Sequence, residues 1–262
     1  MIEVKVLILA ILQGIAEFLP VSSSGHLDLA SRALGVSAPG LLLNAVLHFG
    51  TLVAVVVFYR RTVISLVKGF FAEDGAERRT SWTYFGFVLL SMIPSCLVYF
   101  LAREGLDAAG RSPQCIGGSL LFTGVVLLST AFFPRGKGAL SWGVALLMGL
   151  AQALALFPGL SRSGMTLSFA RTLKVDADKS AEFSFLMVIP IIFGGTLLEI
   201  VRGWGTLSET DVQPLHLLLG GVVAAVVGYF SLVLLVRTLR SSRLWLFGPY
   251  CILAGLLALF LV

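Results

Sequence analysis

Long apolar runs, separated by short charged stretches, dominate the chain. Six of these runs reach the length that a spanning helix needs, which is about 20 apolar residues. They lie at residues 41–59, 83–102, 115–133, 183–201, 215–236 and 244–262. Strands of a membrane β-barrel would instead read as short segments of alternating hydrophobicity. The pattern therefore predicts an all-α integral membrane protein with six transmembrane helices.

Four further apolar stretches are too short or too interrupted to span a membrane. They form two pairs, 4–19 with 23–35 and 141–157 with 162–173. A break rich in Pro, Gly and Ser joins each pair and reads PVSSSG in the first and PGLSRSG in the second. Two half-length helices joined by a polar break predict a re-entrant helical hairpin. Such backbone persists at membrane depth only where it is buried in protein or lines a watery cavity.

The two breaks are similar in sequence. A shift of 139 residues aligns 13–38 with 152–177 without a gap, and ten of the 26 positions are identical. The identical polar and glycine positions are Gln13/Gln152, Ser22/Ser161, Ser24/Ser163, Gly25/Gly164 and Arg32/Arg171. Polar matches in register predict an internal duplication. Repeat one covers about 1–133 and repeat two about 140–262, within a single membrane domain.

Each predicted repeat crosses the membrane three times, which is an odd number. The second repeat must then enter from the side opposite to the first, which is the definition of an inverted-topology repeat. In folds of this kind, ligand sites lie near the midplane, where broken helices meet. We therefore expect the functional site at the two breaks.

Composition excludes two other classes of protein. The chain has 57% hydrophobic and 13% charged residues, whereas soluble domains carry about 25% charged residues. A water-soluble globule is therefore excluded, and a disordered chain is excluded because too few residues are polar. The net charge of +5 would suggest nucleic acid as a partner in a soluble protein.

The positions of the basic residues give that charge a different meaning. Of the 19 Lys and Arg residues, thirteen lie in loops on one predicted side and five on the side that holds both termini. The positive-inside rule places the thirteen in the cytoplasm and both termini in the periplasm. The charge thus reports orientation, and no nucleic acid partner is indicated. The remaining residue, Arg162, lies in the second break at predicted membrane depth.

Charged groups inside a membrane indicate function by default. Glu17, His26 and Arg162 lie in or beside the breaks, and Gln13 shares a helix face with Glu17. If the two tips meet, a carboxylate, an imidazole and a guanidinium share one pocket. The serines expected to line it are Ser22, Ser23, Ser24, Ser161 and Ser163.

Such a pocket suits a phosphate. The N-termini of two half-helices attract anions, and arginine can grip two phosphoryl oxygens at once. The groups expected to bind phosphate are Ser22, Ser24, Gly25, Ser161, Ser163, Gly164 and Thr166. Ser23 or His26 could act as nucleophile, with Glu17 as base or metal ligand. Any metal would be an oxygen-bound Mg²⁺ or Ca²⁺ that the substrate partly holds.

Structural interpretations compete with these assignments. Serine at a helix start is usually an N-cap, and Glu17 with Arg162 could form a structural ion pair. Asn44 and His48 are four residues apart and are more simply structural. Glu182 could support the second hairpin or cap a helix start, and the sequence does not separate these roles.

Two motifs together resemble the undecaprenyl-diphosphate phosphatase family, which is also known for bacitracin resistance. They are EFLPVSSSGH at 17–26 and PGLSRSGMT at 158–166, and the following AEFSF and the chain length agree. The resemblance implies a hydrolase of the bacterial inner membrane. It would remove the terminal phosphate from the polyprenyl diphosphate carrier of cell-wall synthesis. It also implies six spanning helices with two re-entrant hairpins in inverted repeats.

Carried over by position, the family's catalytic residues fall on Glu17, Ser23, His26 and Arg162. Its first acidic position, which can be Glu or Gln, is Gln13 here, so a metal site with two carboxylates is less expected. The resemblance implies a divalent-metal requirement, with Glu17 and Gln13 as candidate ligands, and an active site open to the periplasm. The nucleophile stays open between Ser23, His26 and water.

Two other functions compete with this one. Inverted repeats with broken helices also occur in transporters, so a polyprenyl-phosphate flippase is the alternative. The acid-phosphatase-like lipid phosphatases share an SGH and an SR element with the two breaks. They need a second histidine soon after the SR pair, and residues 163–172 contain none. The expected partners are a polyprenyl diphosphate and membrane lipids. The sequence leaves open whether the protein forms a homodimer.

Overall fold

The computed structural model describes residues 2–35, 41–110, 112–203 and 213–260, and these residues are helical almost throughout. Two isolated bridges, Gly136 with Asp176 and Gly138 with Val175, tie two loops together. Short 3-10 helices cover Thr130–Phe132 and Leu244–Leu246. The α-helices of the described ranges are α1 Ile2–Ala16, α2 Ser23–Ala33, α3 Leu41–Phe58, α4 Arg60–Gly69, α5 Gly75–Gly110, α6 Pro113–Ser129, α7 Trp142–Leu154, α8 Arg162–Thr172, α9 Ala177–Leu186, α10 Ile189–Gly203, α11 Pro214–Arg240 and α12 Phe247–Phe260.

Several helices are long and apolar enough to cross a membrane. Within the described residues four qualify alone, and the bent pair Leu42–Phe58 with Arg60–Gly69 makes up to five. The four are Gly75–Leu106, Pro113–Phe132, Ala177–Leu198 and Pro214–Arg240. An all-α, multi-pass membrane protein is therefore confirmed, whereas the count of six spanning helices stays a prediction.

Some predicted features fall partly outside the described residues. The last predicted span, 244–262, contains the apolar helix Leu244–Phe260, and its final two residues are not described. Arg111 from the charge count and residues 36–38 of the repeat alignment lie outside the described residues as well. These parts of the sequence stay predictions.

The apolar run at 41–59 ends in a bend rather than in a loop. At Tyr59 the chain turns by 74° from α3 into α4. α4 begins with Arg60 and Arg61 and carries Lys68 in its last turn. These three cations favour water over lipid, so the helix continues in a new direction instead of continuing across the membrane.

The predicted span at 183–201 contains a two-residue turn, although Ala177–Leu198 still qualifies as one span. α9 ends at Leu186 and α10 begins at Ile189. Pro190 accounts for the turn, because its ring would clash with the carbonyl four residues earlier and it cannot donate a backbone hydrogen bond.

Helices of the two predicted repeats pack against one another. α1 packs on α11 and α7 packs on α5, while α3 contacts α10 and α6 contacts α12. The bounds of α2, shifted by 139 residues, coincide with those of α8. An inverted repeat would produce such cross-packing, although the repeat boundaries themselves stay a prediction.

Glycines bring α6 and α12 into backbone contact. A Cβ on Gly117 would lie 3.0 Å from the Gly255 carbonyl oxygen, and a Cβ on Gly124 would lie 2.9 Å from that of Gly248. The contacts are reciprocal at 2.8 and 3.0 Å. In membranes, small residues allow this approach and so favour van der Waals packing between helices.

Candidate active site

Each break ends in a serine that caps the following half-helix. Ser22 Oγ accepts a hydrogen bond from Gly25 N at 3.4 Å, and Ser161 Oγ accepts one from Gly164 N at 3.1 Å. The N-cap interpretation therefore holds for these two serines. The residues that follow them, Ser23 and Arg162, begin α2 and α8. They thus hold equivalent positions at two helix N-termini, where backbone N–H groups lack intrahelical acceptors.

The first break contains strained backbone. Ser22 has φ of 71°, a region that costs a non-glycine residue on the order of 1–3 kcal/mol and often occurs at functional sites. In the second break the positive φ, 86°, falls on Gly159, while Ser161 is extended. The two breaks therefore share their caps but reach them through different turns.

Glu17 joins the two breaks through its carboxylate. Oε2 accepts hydrogen bonds from Ser23 Oγ at 2.7 Å and from Gln13 Nε2 at 3.1 Å. Oε1 accepts one from Arg162 Nη2 at 2.8 Å. Glu17 is only 8% exposed, so these donors offset much of the cost of removing its charge from water. The structure thus brings Glu17, Ser23 and Arg162 together, as predicted.

Arg162 has donor capacity left over. Its Nη1 is buried and has no hydrogen-bond partner among the described residues. The guanidinium lies 5.8 Å from the ring centroid of Phe185, within the range of a cation–π contact. A buried charged donor without a partner is costly, and an anion in the adjoining cavity would satisfy it.

A cavity of about 190 Å³ adjoins these groups. One part of its wall is polar and the other part is apolar. Its polar lining residues are Glu17, Ser22, Ser23, Ser24, His48, Ser95, Gln152, Ser161 and Arg162. Its apolar lining residues are Ala16, Ala155, Leu156, Leu160, Val188, Ile191 and Ile192.

Four residues predicted to bind phosphate do not line this cavity, and two of them, Gly25 and Gly164, pack the breaks together instead. A Cβ on Gly25 would lie 3.5 Å from Gly159 Cα, and one on Gly164 would lie 3.3 Å from Pro20 Cβ. These two glycines let the two tips approach each other. Ser163 Oγ lies 3.3 Å from that of Ser161.

Thr166 is the fourth of these residues. Its side chain is fully buried and donates to the Arg162 carbonyl at 2.9 Å. Its hydroxyl also lies 2.7 Å from that of Ser184. Thr166 therefore fixes the first turn of α8 against α9.

His26, which we expected to share the pocket with Glu17 and Arg162, does not line the cavity, and its side chain contacts α12 instead. Its Nδ1 is 2.9 Å from the Ser22 carbonyl oxygen, and its Nε2 is 2.8 Å from the Tyr250 hydroxyl. A carbonyl can only accept, so Nδ1 carries the proton and Tyr250 donates to Nε2. The two rings stack at 5.6 Å with an interplanar angle of 14°. Tyr250 was not found from the sequence, because it lies inside an ordinary apolar run.

His48 lines the cavity, although the sequence favoured a structural role. Its Nδ1 lies 2.9 Å from the Asn44 carbonyl oxygen, so this nitrogen is the donor. Its Nε2 faces Glu17 Oε2 at 3.9 Å. The opposite wall contributes Gln152, whose Nε2 donates to Ser95 Oγ at 3.4 Å. His48, Gln152 and Ser95 are polar residues inside apolar helices, and that feature of the sequence could have identified all three as cavity residues.

Sequence comparison identifies the family. The family described as "Bacitracin resistance protein BacA" matches residues 6–257. The chain belongs to this family. The undecaprenyl-diphosphatase of Rhodopirellula baltica is 38% identical over 264 residues, covering 98% of this chain and 97% of the relative. That of Salinibacter ruber is 37% identical over 270 residues, covering 98% of each. That of Desulfatibacillum aliphaticivorans is 37% identical over 268 residues, covering 96% and 95%.

Family membership confirms the resemblance carried by the two motifs. The matched region includes both breaks and all of the cavity's lining residues. Glu182, whose role the sequence left open, accepts a hydrogen bond from Thr62 at 2.9 Å and so joins α9 to α4. It does not line the cavity.

The donor set at the site fits a divalent cation only with help from a substrate. Across the described residues, no three His, Cys, Asp or Glu side chains cluster as a metal-binding group. Glu17 is the carboxylate that lines the cavity. Gln13 Oε1 is a buried amide oxygen that lacks a hydrogen-bond partner in the described part of the chain. Mg²⁺ typically takes one or two protein carboxylates together with phosphate oxygens. Glu17, Gln13 Oε1 and the phosphates of a substrate would form a ligand set of this kind.

Proposed function

We propose that this protein is a membrane phosphatase that hydrolyses undecaprenyl diphosphate at the site formed by Glu17, Ser23 and Arg162. The products are undecaprenyl phosphate, which re-enters cell-wall synthesis, and inorganic phosphate. Recycling of this carrier also underlies bacitracin resistance. The names of the relatives and the family support this activity. The observation that carries the site assignment is the 2.7 Å hydrogen bond from Ser23 Oγ to Glu17.

That hydrogen bond has the geometry of an activated nucleophile. A hydroxyl in contact with a base, which is itself oriented by a third group, is the general arrangement for covalent catalysis. Here Glu17 is the base, and Arg162 and Gln13 orient it. Among the candidates Ser23, His26 and water, the geometry favours Ser23.

In the first step, Ser23 Oγ attacks the terminal phosphorus and its proton moves to Glu17. The Oγ–P bond forms, and the bond between that phosphorus and the bridging oxygen breaks, which releases undecaprenyl phosphate. The Nη1 of Arg162 and the N-terminal N–H groups of α2 and α8 stabilise the charge on the phosphoryl oxygens.

In the second step, a water molecule attacks the phosphoserine. The Oγ–P bond breaks, Ser23 Oγ takes back the proton that Glu17 received in the first step, and inorganic phosphate leaves. His26, which the resemblance makes a catalytic residue, would accept the proton of this water. Its Nε2 lone pair accepts from Tyr250, so the use of that nitrogen requires this hydrogen bond to open.

A divalent ion, Mg²⁺ or Ca²⁺, is part of the proposal. Glu17 and Gln13 Oε1 would hold it together with the diphosphate. When bound, such an ion neutralises phosphoryl charge. The protein's own residues, and not the ion, position the nucleophile and Arg162.

The test is phosphate release from undecaprenyl diphosphate by the detergent-solubilised protein, with and without EDTA. Release without any membrane gradient supports a hydrolase, and loss of release in EDTA that Mg²⁺ or Ca²⁺ restores supports the metal. No release by folded wild-type protein would leave the flippase as the better assignment. Acid quenching followed by mass spectrometry should find phosphate on Ser23, and phosphate on His26 would reassign the nucleophile.

The proposed membrane arrangement is six spanning helices and two re-entrant hairpins in inverted repeats, in the bacterial inner membrane. Both termini and the mouth of the site face the periplasm. The charge distribution supports this orientation. In protein without native cysteines, a membrane-impermeant maleimide applied to intact cells should label Gln114→Cys and spare Lys137→Cys. The reverse pattern would invert the topology.

A further inference from the structure

A second polar cavity lies toward the end of α8 that is opposite to Arg162. It has a volume of about 300 Å³, and its walls come from α8, α9, the end of α11 and the loop after the 3-10 helix Thr130–Phe132. Arg171, on its wall, follows Arg162 by nine residues, which is about 14 Å at the helical rise. We call it the arginine cavity, and its polar lining residues are Arg135, Arg171, Arg240, Asp176, Asp178 and Ser180.

Both carboxylates at the arginine cavity already have partners. Asp178 Oδ1 accepts a hydrogen bond from Arg240 Nε at 2.7 Å. Asp176 is the N-cap of α9, and its Oδ1 accepts from the backbone N–H groups of Asp178 and Lys179 at 3.0 and 3.2 Å. The positive end of the α9 dipole stabilises that negative charge. The aspartates therefore offset Arg240 and the start of α9, and not the other two arginines.

Neutral oxygens hold these other two arginines in place. Arg171 donates from Nε to the Thr130 carbonyl at 3.1 Å and from Nη2 to the Phe133 carbonyl at 2.7 Å. Arg135 donates from Nε to Ser242 Oγ at 2.7 Å. Within the described ranges, neither guanidinium forms a salt bridge. An arginine has five N–H donors, so both side chains retain donors for a ligand.

The floor of the arginine cavity is apolar. Leu167, Val175 and Leu239 line it, and none of them is more than 6% exposed. Apolar surroundings lower the effective dielectric constant, so Arg135 and Arg171 repel each other more than they would in water and attract an anion more strongly. A structural role explains the contacts of Arg171 with two carbonyl groups, but it does not explain a second uncompensated cation in the same cavity.

We propose that Arg135 and Arg171 bind a phosphate group in the arginine cavity, carried by an anionic lipid headgroup or present as free phosphate. A guanidinium matches two phosphate oxygens at once, and these two guanidinium groups come from different walls. Both arginines belong to the thirteen basic residues of the predicted cytoplasmic side, where basic pockets between helices bind lipid phosphates. The inference does not depend on the reaction at the active site.

Arg135→Gln tests the site. Arg135 is exposed, and its side chain donates a single hydrogen bond within the described residues, so the fold should tolerate the change. Arg243→Gln is the matched control, because Arg243 is also exposed and is adjacent to Ser242 but does not line the arginine cavity. Both variants lose one positive charge at the same end of the molecule, so a general surface attraction would affect them equally.

Short-chain phosphatidylglycerol and inorganic phosphate are titrated separately onto wild type and both variants, and affinities are obtained from the shift of the thermal midpoint. We expect Arg135→Gln to bind about tenfold more weakly than wild type, because a charge-assisted hydrogen bond is lost. Arg243→Gln should match wild type. Dependence on Arg135 for phosphatidylglycerol alone identifies a lipid headgroup as the ligand, and dependence for inorganic phosphate identifies free phosphate.

Equal weakening in both variants would show a general attraction to the surface and would overturn the site, as would unchanged binding of both ligands by Arg135→Gln. If Arg135→Gln does not elute as a folded species, Arg135→Lys keeps the charge and removes the guanidinium fork. Its control is then Arg243→Lys, and the same outcomes decide the proposal.

Discussion

Replacing Arg162 with Lys tests how the site holds phosphate. Arg162 Nη2 donates a hydrogen bond to Glu17 at 2.8 Å, while Nη1 is buried without a partner among the described residues. The proposal is that Nη1 binds a phosphoryl oxygen while Nη2 keeps Glu17 in place. Lysine retains the positive charge, but its ammonium is a point charge that cannot reproduce the planar fork.

The size of the effect follows from the hydrogen bond that lysine cannot form. Its ammonium can bind either Glu17 or the phosphoryl oxygen in the geometry of the guanidinium, but not both. A hydrogen bond to a charged group contributes about 1.5–3 kcal/mol, and 1.36 kcal/mol corresponds to a factor of ten in rate. We therefore expect kcat/KM of Arg162→Lys to fall roughly 10- to 150-fold.

The assay is steady-state phosphate release from undecaprenyl diphosphate by purified protein. Arg240→Lys is the matched control, because Arg240 is exposed and pairs with Asp178 far from the active-site cavity. Its activity should equal that of wild type. Arg162→Lys protein that is folded and as active as the control would refute the two-contact role of the guanidinium.

Three further variants test other parts of the structure. Ser23→Ala removes the hydroxyl that donates to Glu17 at 2.7 Å, and phosphate release should fall below detection together with the phosphoenzyme. Tyr250→Phe keeps the ring stack on His26 but removes the 2.8 Å hydrogen bond; we expect kcat to fall about three- to tenfold in steady-state kinetics. Gly124→Val places its side chain 2.9 Å or less from α12, and overpacking of about 1–3 kcal/mol should lower the thermal midpoint by several degrees.

Each variant has a control of the same chemistry. Ser65→Ala and Tyr99→Phe change exposed or partly exposed residues outside the cavity and should keep wild-type kinetics. Gly118 lies on the same helix as Gly124 but has open space around its Cβ position, so Gly118→Val should keep the wild-type midpoint. Active Ser23→Ala protein would exclude the serine nucleophile, and equal midpoints for the two glycine variants would argue against close packing of α6 and α12.

The helices of the fold were largely predictable, because burial in lipid requires long apolar runs. The half-helices predicted at 23–35 and 162–173 are α2 and α8. Two features were not predicted. α4 is rich in cations and apolar only in part, so a search for long apolar runs passes over it. The turn before α10 depends on Pro190, whose effect is local and is easily overlooked inside an apolar run.

The site residues that could be predicted are those with an ionisable side chain at predicted membrane depth. Glu17 and Arg162 are ionisable residues in apolar surroundings, and that conflict identifies them without any structure. Tyr250 and the orientation of His48 could not be predicted in the same way. Their contacts depend on how α12 and α3 pack against the breaks, and residue spacing along the chain carries no information on that packing.

Ser23 and Arg162 start their helices at the same point of two similar segments, yet one is assigned as the attacking group and the other as the phosphate anchor. Neither segment alone holds both functions, and Glu17 from the first segment must reach across to the second. Two identical copies of either segment would give two nucleophiles without an anchor, or two anchors without a nucleophile. The proposed chemistry therefore requires the two breaks to differ at this one position.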